Sequence, residues 1–149
     1  MIIGKVIGTF SALKGQSGLP RPTVNSLTLV KDFGIENDKF AGKDLDKTVM
    51  IVGFNSYALA KEKKINLEYG SLGENILFDF NPHKYKVGTE FKIGQSIIKI
   101  TENCTICNHL AVFGNELPSL IKDCRGIYCT IVQSGIIKEN DSIELLKKG

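Results

Sequence analysis

The sequence has no apolar run approaching the roughly 20 residues needed to cross a bilayer, so no membrane role is expected. Its start, Met1-Ile2-Ile3-Gly4-Lys5-Val6, lacks the basic flank, apolar stretch and small-residue cleavage site of a signal peptide. A cytoplasmic location is therefore expected. Net charge is small: 19 Lys and Arg against 16 Asp and Glu give +3. The lysines are scattered, without the dense basic stripe interleaved with aromatics that nucleic-acid binding calls for, so nucleic acid is not an expected partner. No internal repeat, low-complexity tract or linker divides the 149 residues. One domain over residues 1–149 is expected, large enough for a real core. Cysteine is sparse, at four residues. In a reducing compartment these stay reduced, and metal or thiolate chemistry outranks structural disulfides.

What is present is a globular balance, 42% hydrophobic and 23% charged, arranged in short strand-like runs. Lys5 to Phe10 reads as a first strand and Val24 to Val30, which alternates, as a second. Between them lies the Gly/Ser-rich stretch Ser11 to Gly18, prolonged by Pro20 and Pro22. Phe33 to Asp38 is turn-rich, and Asp44 to Lys47 is charged and exposed. Thr48 to Val52 is a short apolar run of the kind that forms a buried strand. Gly53 to Lys64 has helical spacing, with Phe54, Tyr57 and Ala58 on one face and Lys61 and Lys63 on the wet one. Ile76 to Phe80, Val87 to Gly94 and Ile97 to Thr101 are further strands, the last two a hairpin about Gly94-Gln95. A helical patch covers Leu117 to Asp123. Ile127 to Val132 is a strand, Gly135 turns the chain, and Asp141 to Leu146 closes it. Many short strands with one or two helices predict a mainly β (α+β) fold: a mixed, largely closed β-barrel with helices at its rim.

The chemistry concentrates after the Ile97 strand. Cys104, Cys107 and His109 fall within six residues. Soft ligands packed this closely can bind a metal, shuttle electrons as a dithiol or attack as a nucleophile. Cys104-x2-Cys107 with Cys124-x4-Cys129 approaches the paired spacing of a structural zinc site. Against it, Cys129 lies inside a strand, where a small core residue is the plainer reading. A redox dithiol would sit at a helix start, and this pair follows a hairpin strand instead. His109 leads into the apolar Leu110 to Phe113 and is either a ligand or simply packed. The Ser11 to Gly18 loop carries Lys14 and exposes backbone N–H groups, a feature of phosphate-holding loops, without Walker spacing. In Gly73-Glu74-Asn75, Asn75 can offer both a donor and an acceptor, or mark an ordinary turn before a strand.

Taken in order, these pieces resemble the MOSC domain, found at the C-terminus of molybdenum-cofactor sulfurases and as small stand-alone bacterial proteins. Ser11-Ala12-Leu13-Lys14-Gly15 is similar to its early Ser/Lys/Gly loop. Gly34-Ile35-Glu36-Asn37-Asp38 is similar to its Gly-Ile-x-Gly-Asp-x-His element, and Gly70-Ser71-Leu72-Gly73-Glu74-Asn75-Ile76 to its Gly-x-Phe/Leu-Gly-Glu-Asn element. Val87-Gly88 and Ile93-Gly94 match two glycine-ended strands. The cysteine loop falls where the family places its cysteine, and Arg125-Gly126-Ile127-Tyr128 resembles the stretch before the penultimate strand. The resemblance implies binding of the molybdenum cofactor (molybdopterin), or handling of its sulfur with a donor or acceptor protein of cofactor biosynthesis. It implies Cys107, followed by Asn108-His109-Leu110, as the residue that ligates molybdenum or carries sulfur, with Cys104 as accessory thiol or persulfide relay. Ser11, Lys14, Asp38, Lys47, Glu74, Asn75, His109 and Arg125 are the implied cofactor-binding residues. If the protein is an enzyme, it would be a molybdenum-cofactor-dependent oxidoreductase or a sulfur transferase. The chain departs from the family pattern at Asn37 and Phe40, where glycine and histidine are usual. Lys47 stands for an arginine, and Arg125 is shifted by one position. These changes are expected to thin the positive charge of the pocket. The open alternatives are a four-cysteine zinc or thiol module and a family fold that has lost its ligand.

Overall fold

A computed structural model describes residues 1–105 and 108–149, with Asn108 described only along its backbone. Seven strands close a barrel in the order β1 (Ile2–Thr9), β10 (Ser142–Lys147), β6 (Glu90–Ile93), β7 (Ser96–Asn103), β8 (Ile127–Gln133), β4 (Val49–Gly53) and β5 (Ile76–Phe78). All neighbours are antiparallel except β4 and β5, which run parallel. A parallel pair needs a crossover, and α1 (Phe54–Glu62) supplies it. A second sheet of β3 (Gly34–Ile35), β2 (Ser26–Val30) and β9 (Gly135–Lys138) packs beside the barrel. The short α2 (Leu117–Leu120) and a 3-10 segment, Asn108–Phe113, follow the cysteine loop. Among the described residues no helix is long and apolar enough to cross a membrane.

The run Val49 to Gly53 is apolar throughout because β4 is covered on both faces. Val49 and Ile51 point into the barrel with Ile76, Phe78, Phe91, Ile98, Ile127 and Cys129. Val52 faces outward, under α1, with Tyr57, Ala60, Leu72, Leu77 and Ile121. Met50, also outward, falls beyond the cover of α1 and floors a cleft. In β8 the alternation is simpler: Ile127, Cys129 and Ile131 point inward, and Tyr128 and Thr130 point out. Asn75 ties the start of β5 to two strands. Its Oδ1 accepts from Met50 N at 3.0 Å, and its Nδ2 donates to the Phe10 carbonyl at 3.1 Å.

The expected mainly β barrel with rim helices is the fold found. The helix over Gly53 to Lys64 forms as Phe54–Glu62, but Phe54 is 43% exposed. As the first residue of the helix it lies past the edge of the outer apolar cluster. The hairpin about Gly94-Gln95 is present, with Ile93 opposite Ser96. Gly135 does more than turn the chain: it begins β9, which pairs with β2 and passes against that hairpin turn. A Cβ on Gly135 would fall 2.5 Å from the Ser96 nitrogen and 2.6 Å from the Gln95 carbonyl carbon, so only glycine permits the approach. Gly135→Ala is therefore expected to lower stability by about 1–3 kcal/mol through overpacking. This will appear as a lower denaturation midpoint at unchanged slope.

Glu74 is fully buried beneath the Gly70 to Gly73 turn. Its Oε2 accepts from the Tyr57 hydroxyl at 2.6 Å and from Gly70 N at 3.2 Å. Burial outweighs these bonds and raises its carboxyl above the ordinary 4.5. An unfolded chain ionises Glu74 above about 4.5 while the folded one holds the proton to higher pH. The unfolded state then binds fewer protons, and this group's contribution to stability falls as pH rises. Glu74→Gln cannot ionise. Its stability relative to the parent should rise as pH is taken upward from about 4.5, measured by denaturant unfolding at each pH.

Candidate functional site: a basic, thiol-bearing cleft

Two hollows of about 380 and 260 Å³ share Arg21, Phe40, Met50 and Tyr128, and so form two lobes of one cleft. The first lobe adds Gly73, Lys39, Cys104, His109 and Arg125. The second adds Lys43, Asp44, Lys47, Thr48 and Asn75. A wider groove of about 620 Å³ runs along α1, but it is lined by residues such as Phe54, Ala58, Leu67 and Tyr69 and carries neither thiol nor arginine. The reactive groups gather in the two-lobed cleft.

Local structure explains the gathering. Outward alternation puts Tyr128 of β8 and Met50 of β4 side by side, paired across the two strands. Cys104 leaves β7 just where the antiparallel partner β8 begins, and its N–H donates to the Gly126 carbonyl at 2.9 Å. Its side chain is 5% exposed, with Sγ 3.5 Å from the Tyr128 hydroxyl. Arg125 lies just before β8 and is 3% exposed. Its Nη1 donates to the Leu72 carbonyl and lies 3.7 Å from the Met50 sulfur, and its Nη2 is 3.2 Å from His109 Nε2. A guanidinium has no acceptor, so His109 accepts there through a neutral ring. Burial, then the Arg125 charge, pushes the imidazole below its ordinary range. Arg21, held between Pro20 and Pro22, reaches in from the other side.

The cleft is strongly cationic. Arg21, Lys39, Lys43, Lys47 and Arg125 line it. Asp38 ion-pairs with Arg21 at 3.6 Å, and it also accepts from the Ser11 hydroxyl at 2.6 Å and Phe40 N at 3.0 Å. Burial lowers the Arg21 guanidinium and Asp38 works against that. Arg21 Nε and Nη1 and Arg125 Nε are buried with no hydrogen-bond partner among the described residues. Arg21 Nη1 has Asp38 Oδ1 at 3.6 Å, and the acceptor Glu74 Oε1 is likewise buried without a hydrogen-bond partner among the described residues. The Phe40 ring lies under Arg21, Lys39 and Lys43 at 5.1, 5.3 and 5.7 Å, and the Tyr128 ring under Lys47 at 5.6 Å.

Of the residues singled out in the sequence, Cys104, His109, Lys47 and Arg125 come together on the cleft, and Asp38 supports it through Arg21. Cys107 lies outside the described residues. Asn75 borders the second lobe, but its amide is engaged by Met50 and Phe10. Ser11 acts on Asp38, Lys14 is exposed outside the lining, and Glu74 sits beneath the turn behind Arg125. The four-cysteine zinc arrangement is corrected. The Cys129 side chain is fully buried in the barrel, its thiol raised by burial, and Cys124 packs against the separate outer cluster. Among the described residues no group of three metal-ligating side chains is assembled. Asn37 has φ +67, a left-handed conformation that glycine or asparagine adopts readily, so the backbone there is kept. Arg21, which the sequence reading passed over, lines both lobes. Tyr128 was likewise missed, although its alternation with Ile127 and Cys129 marked it as outward-facing.

No curated protein matches the chain at a significant level. Solved structures do match. The YuaD protein from Bacillus subtilis superposes with a TM-score of 0.77 at 15% identity, over 94% of this chain and 93% of that one. YiiM from Geobacillus stearothermophilus gives 0.71 at 15%, over 99% and 75%, and YiiM from Escherichia coli 0.70 at 16%, over 97% and 71%. At such identities the likeness is one of fold. The family model of the MOSC domain matches residues 35–144, from β3 into β10 and across most of the cleft. The chain belongs to the MOSC domain family.

Proposed function

We propose that the chain, acting as one domain over residues 1–149, binds the molybdenum cofactor or handles its sulfur in the two-lobed cleft. The observation that carries this reading is the gathering of Arg21, Arg125 and Lys39 on the walls of the cavity that Cys104 also lines. The donor set fits the group. Guanidinium N–H groups suit the phosphate and pterin oxygens. Thiolates suit a soft metal centre. The faces of Phe40 and Tyr128 suit a flat heterocycle.

Arg21, Arg125 and Lys39 would hold the anionic part of the cofactor, with Lys43 and Lys47 adding charge at the second lobe. Cys107, the family cysteine, would meet the metal or carry sulfur, with Cys104 as the neighbouring thiol. When bound, the cofactor would supply the redox and sulfur-transfer chemistry. The protein's part is to bind, orient and exclude water. Asp38 fixes Arg21, and the neutral His109 fixes Arg125 by accepting from it.

The test is molybdenum, pterin and labile-sulfur analysis of protein purified anaerobically from a molybdate-supplied host. Arg21→Gln removes a charge-assisted contact worth about 1.5–3 kcal/mol, so cofactor retention should weaken by about tenfold to a hundredfold. Cys107→Ser should abolish bound molybdenum or labile sulfur while leaving the fold intact. Equal retention in the parent and both variants would sink the reading.

A further inference from the structure

The two arginines of the cleft are far apart in the chain but are tied to one turn. Gly70 to Gly73 is closed by the Gly73 N–H, which donates to the Gly70 carbonyl at 3.1 Å. Arg21 is fastened to the start of the turn, where its backbone N–H donates to the same Gly70 carbonyl at 3.0 Å. Arg125 is fastened to the middle, where its Nη1 donates to the Leu72 carbonyl. Both guanidinium groups flank the end of the turn. A Cβ on Gly73 would lie 3.5 Å from Arg125 Nη2 and 3.9 Å from Arg21 Nε, and Gly73 itself lines the cleft. The turn therefore sets how far apart the two cations stand.

One hydroxyl reaches this turn from α1. Tyr57 is 6% exposed and belongs to the outer apolar cluster, its ring edge-on to Tyr69 with centroids 5.2 Å apart. Its hydroxyl accepts from Gly70 N at 3.1 Å and from Leu72 N at 3.3 Å, and it donates to Glu74 Oε2 at 2.6 Å. Gly70 N shares its hydrogen with Glu74 Oε2 at 3.2 Å. Gly70 and Leu72 are the two residues whose carbonyls hold Arg21 and Arg125. Burial pushes the ionisation of the phenol up, so the hydroxyl keeps its proton at neutral pH. Tyr57 is not among the described residues that line either lobe. Its influence on the cleft runs through the turn.

We infer that Tyr57 is a positioning residue for the arginine pair: its hydroxyl pins the Gly70 to Gly73 turn, and the turn holds Arg21 and Arg125 at the spacing that receives an oxyanion. The inference rests on the reading of this cleft as the seat of the cofactor's anionic part. Phenylalanine at this position would keep the ring and take the shared acceptor away from Gly70 and Leu72. A buried N–H that loses its acceptor is costly, so the turn would shift to find another, and the arginines would move with it.

The test uses the full chain and inorganic phosphate, titrated calorimetrically well below the denaturation midpoint of each variant. Weaker binding in Arg21→Gln locates the titrated site in the cleft. Tyr57→Phe should weaken phosphate about three- to tenfold. A role confined to stability would lower the denaturation midpoint and leave the affinity alone. Should Tyr57→Phe fail to fold, amide hydrogen exchange of the parent supplies a second reading. Coupling between turn and anion is reciprocal, so saturating phosphate should slow exchange at Gly70 and Leu72 about threefold or more beyond the change at the β7 amides. An unchanged affinity in Tyr57→Phe, or exchange at Gly70 and Leu72 that moves only with β7, would overturn the inference. A parent that binds no phosphate, or binds it as well in Arg21→Gln, would overturn it too by removing the oxyanion site. Molybdenum and pterin content of the same preparations is read separately, so failure of the tyrosine effect and failure of cofactor binding are distinguishable.

Discussion

Burial of β4 on both faces is the constraint on which the rest of the structure depends. One face, through Val49 and Ile51, completes the barrel interior. The other is shared between the helical cover, over Val52, and the cleft, over Met50. A strand so placed must be apolar along its whole length. It must also be joined to its parallel neighbour β5 by a crossover, and α1 meets that need. Asn75 then locks the arrangement: one amide holds Met50 of β4 and the Phe10 carbonyl at the end of β1. The cleft floor is thereby part of the barrel wall, and side chains that face it inherit the rigidity of the sheet.

Electrostatics is the second organising principle. Two buried guanidinium groups approach one another across a small cavity, which is unfavourable unless anions compensate them. Asp38 is one compensating charge, set by Ser11 and the Phe40 backbone. Glu74 is close enough to act on both arginines, but burial raises the ionisation of its carboxyl, and it accepts from Tyr57 and the Gly70 turn. The excess positive charge therefore faces the cavity. Two arginines and Lys39 thus share the first lobe with Cys104, and the Phe40 and Tyr128 side chains line both lobes.

The sites that sequence reasoning reached and those it missed divide along physical lines. Cys104 and His109 were visible because thiol and imidazole are rare and lay close in the chain. Arg125 was visible as part of a motif, but its weight was underestimated. Only the folded turn at Leu72 and the ring of His109 show it clamped in place. Arg21 is separated from Cys104 by more than 80 positions and lies in an irregular stretch between two prolines, where no periodicity indicates which way a side chain points. Lys14, in contrast, looked well placed in a glycine-rich loop, yet it extends into solvent, and Lys39 takes the position on the cleft.

The sequence by itself determined the class of fold, because alternation, glycine-bounded strands and a fully apolar Val49 to Gly53 have few solutions other than a closed mixed barrel. It also determined the family, through ordered short motifs from Gly34 to Tyr128, and the neighbourhood of the chemistry at the cysteine loop. Tertiary structure alone decided which residues meet. Strand register put Tyr128 against Cys104 and sent Cys129 into the core. Close approach of β9 to the Gly94-Gln95 turn required glycine at 135. Burial, which no linear pattern reports, raised the ionisation of Glu74 and enclosed Arg21 and Arg125 beside the cleft. Register, approach and burial are properties of residues distant in the chain, and they exist only once the barrel has closed.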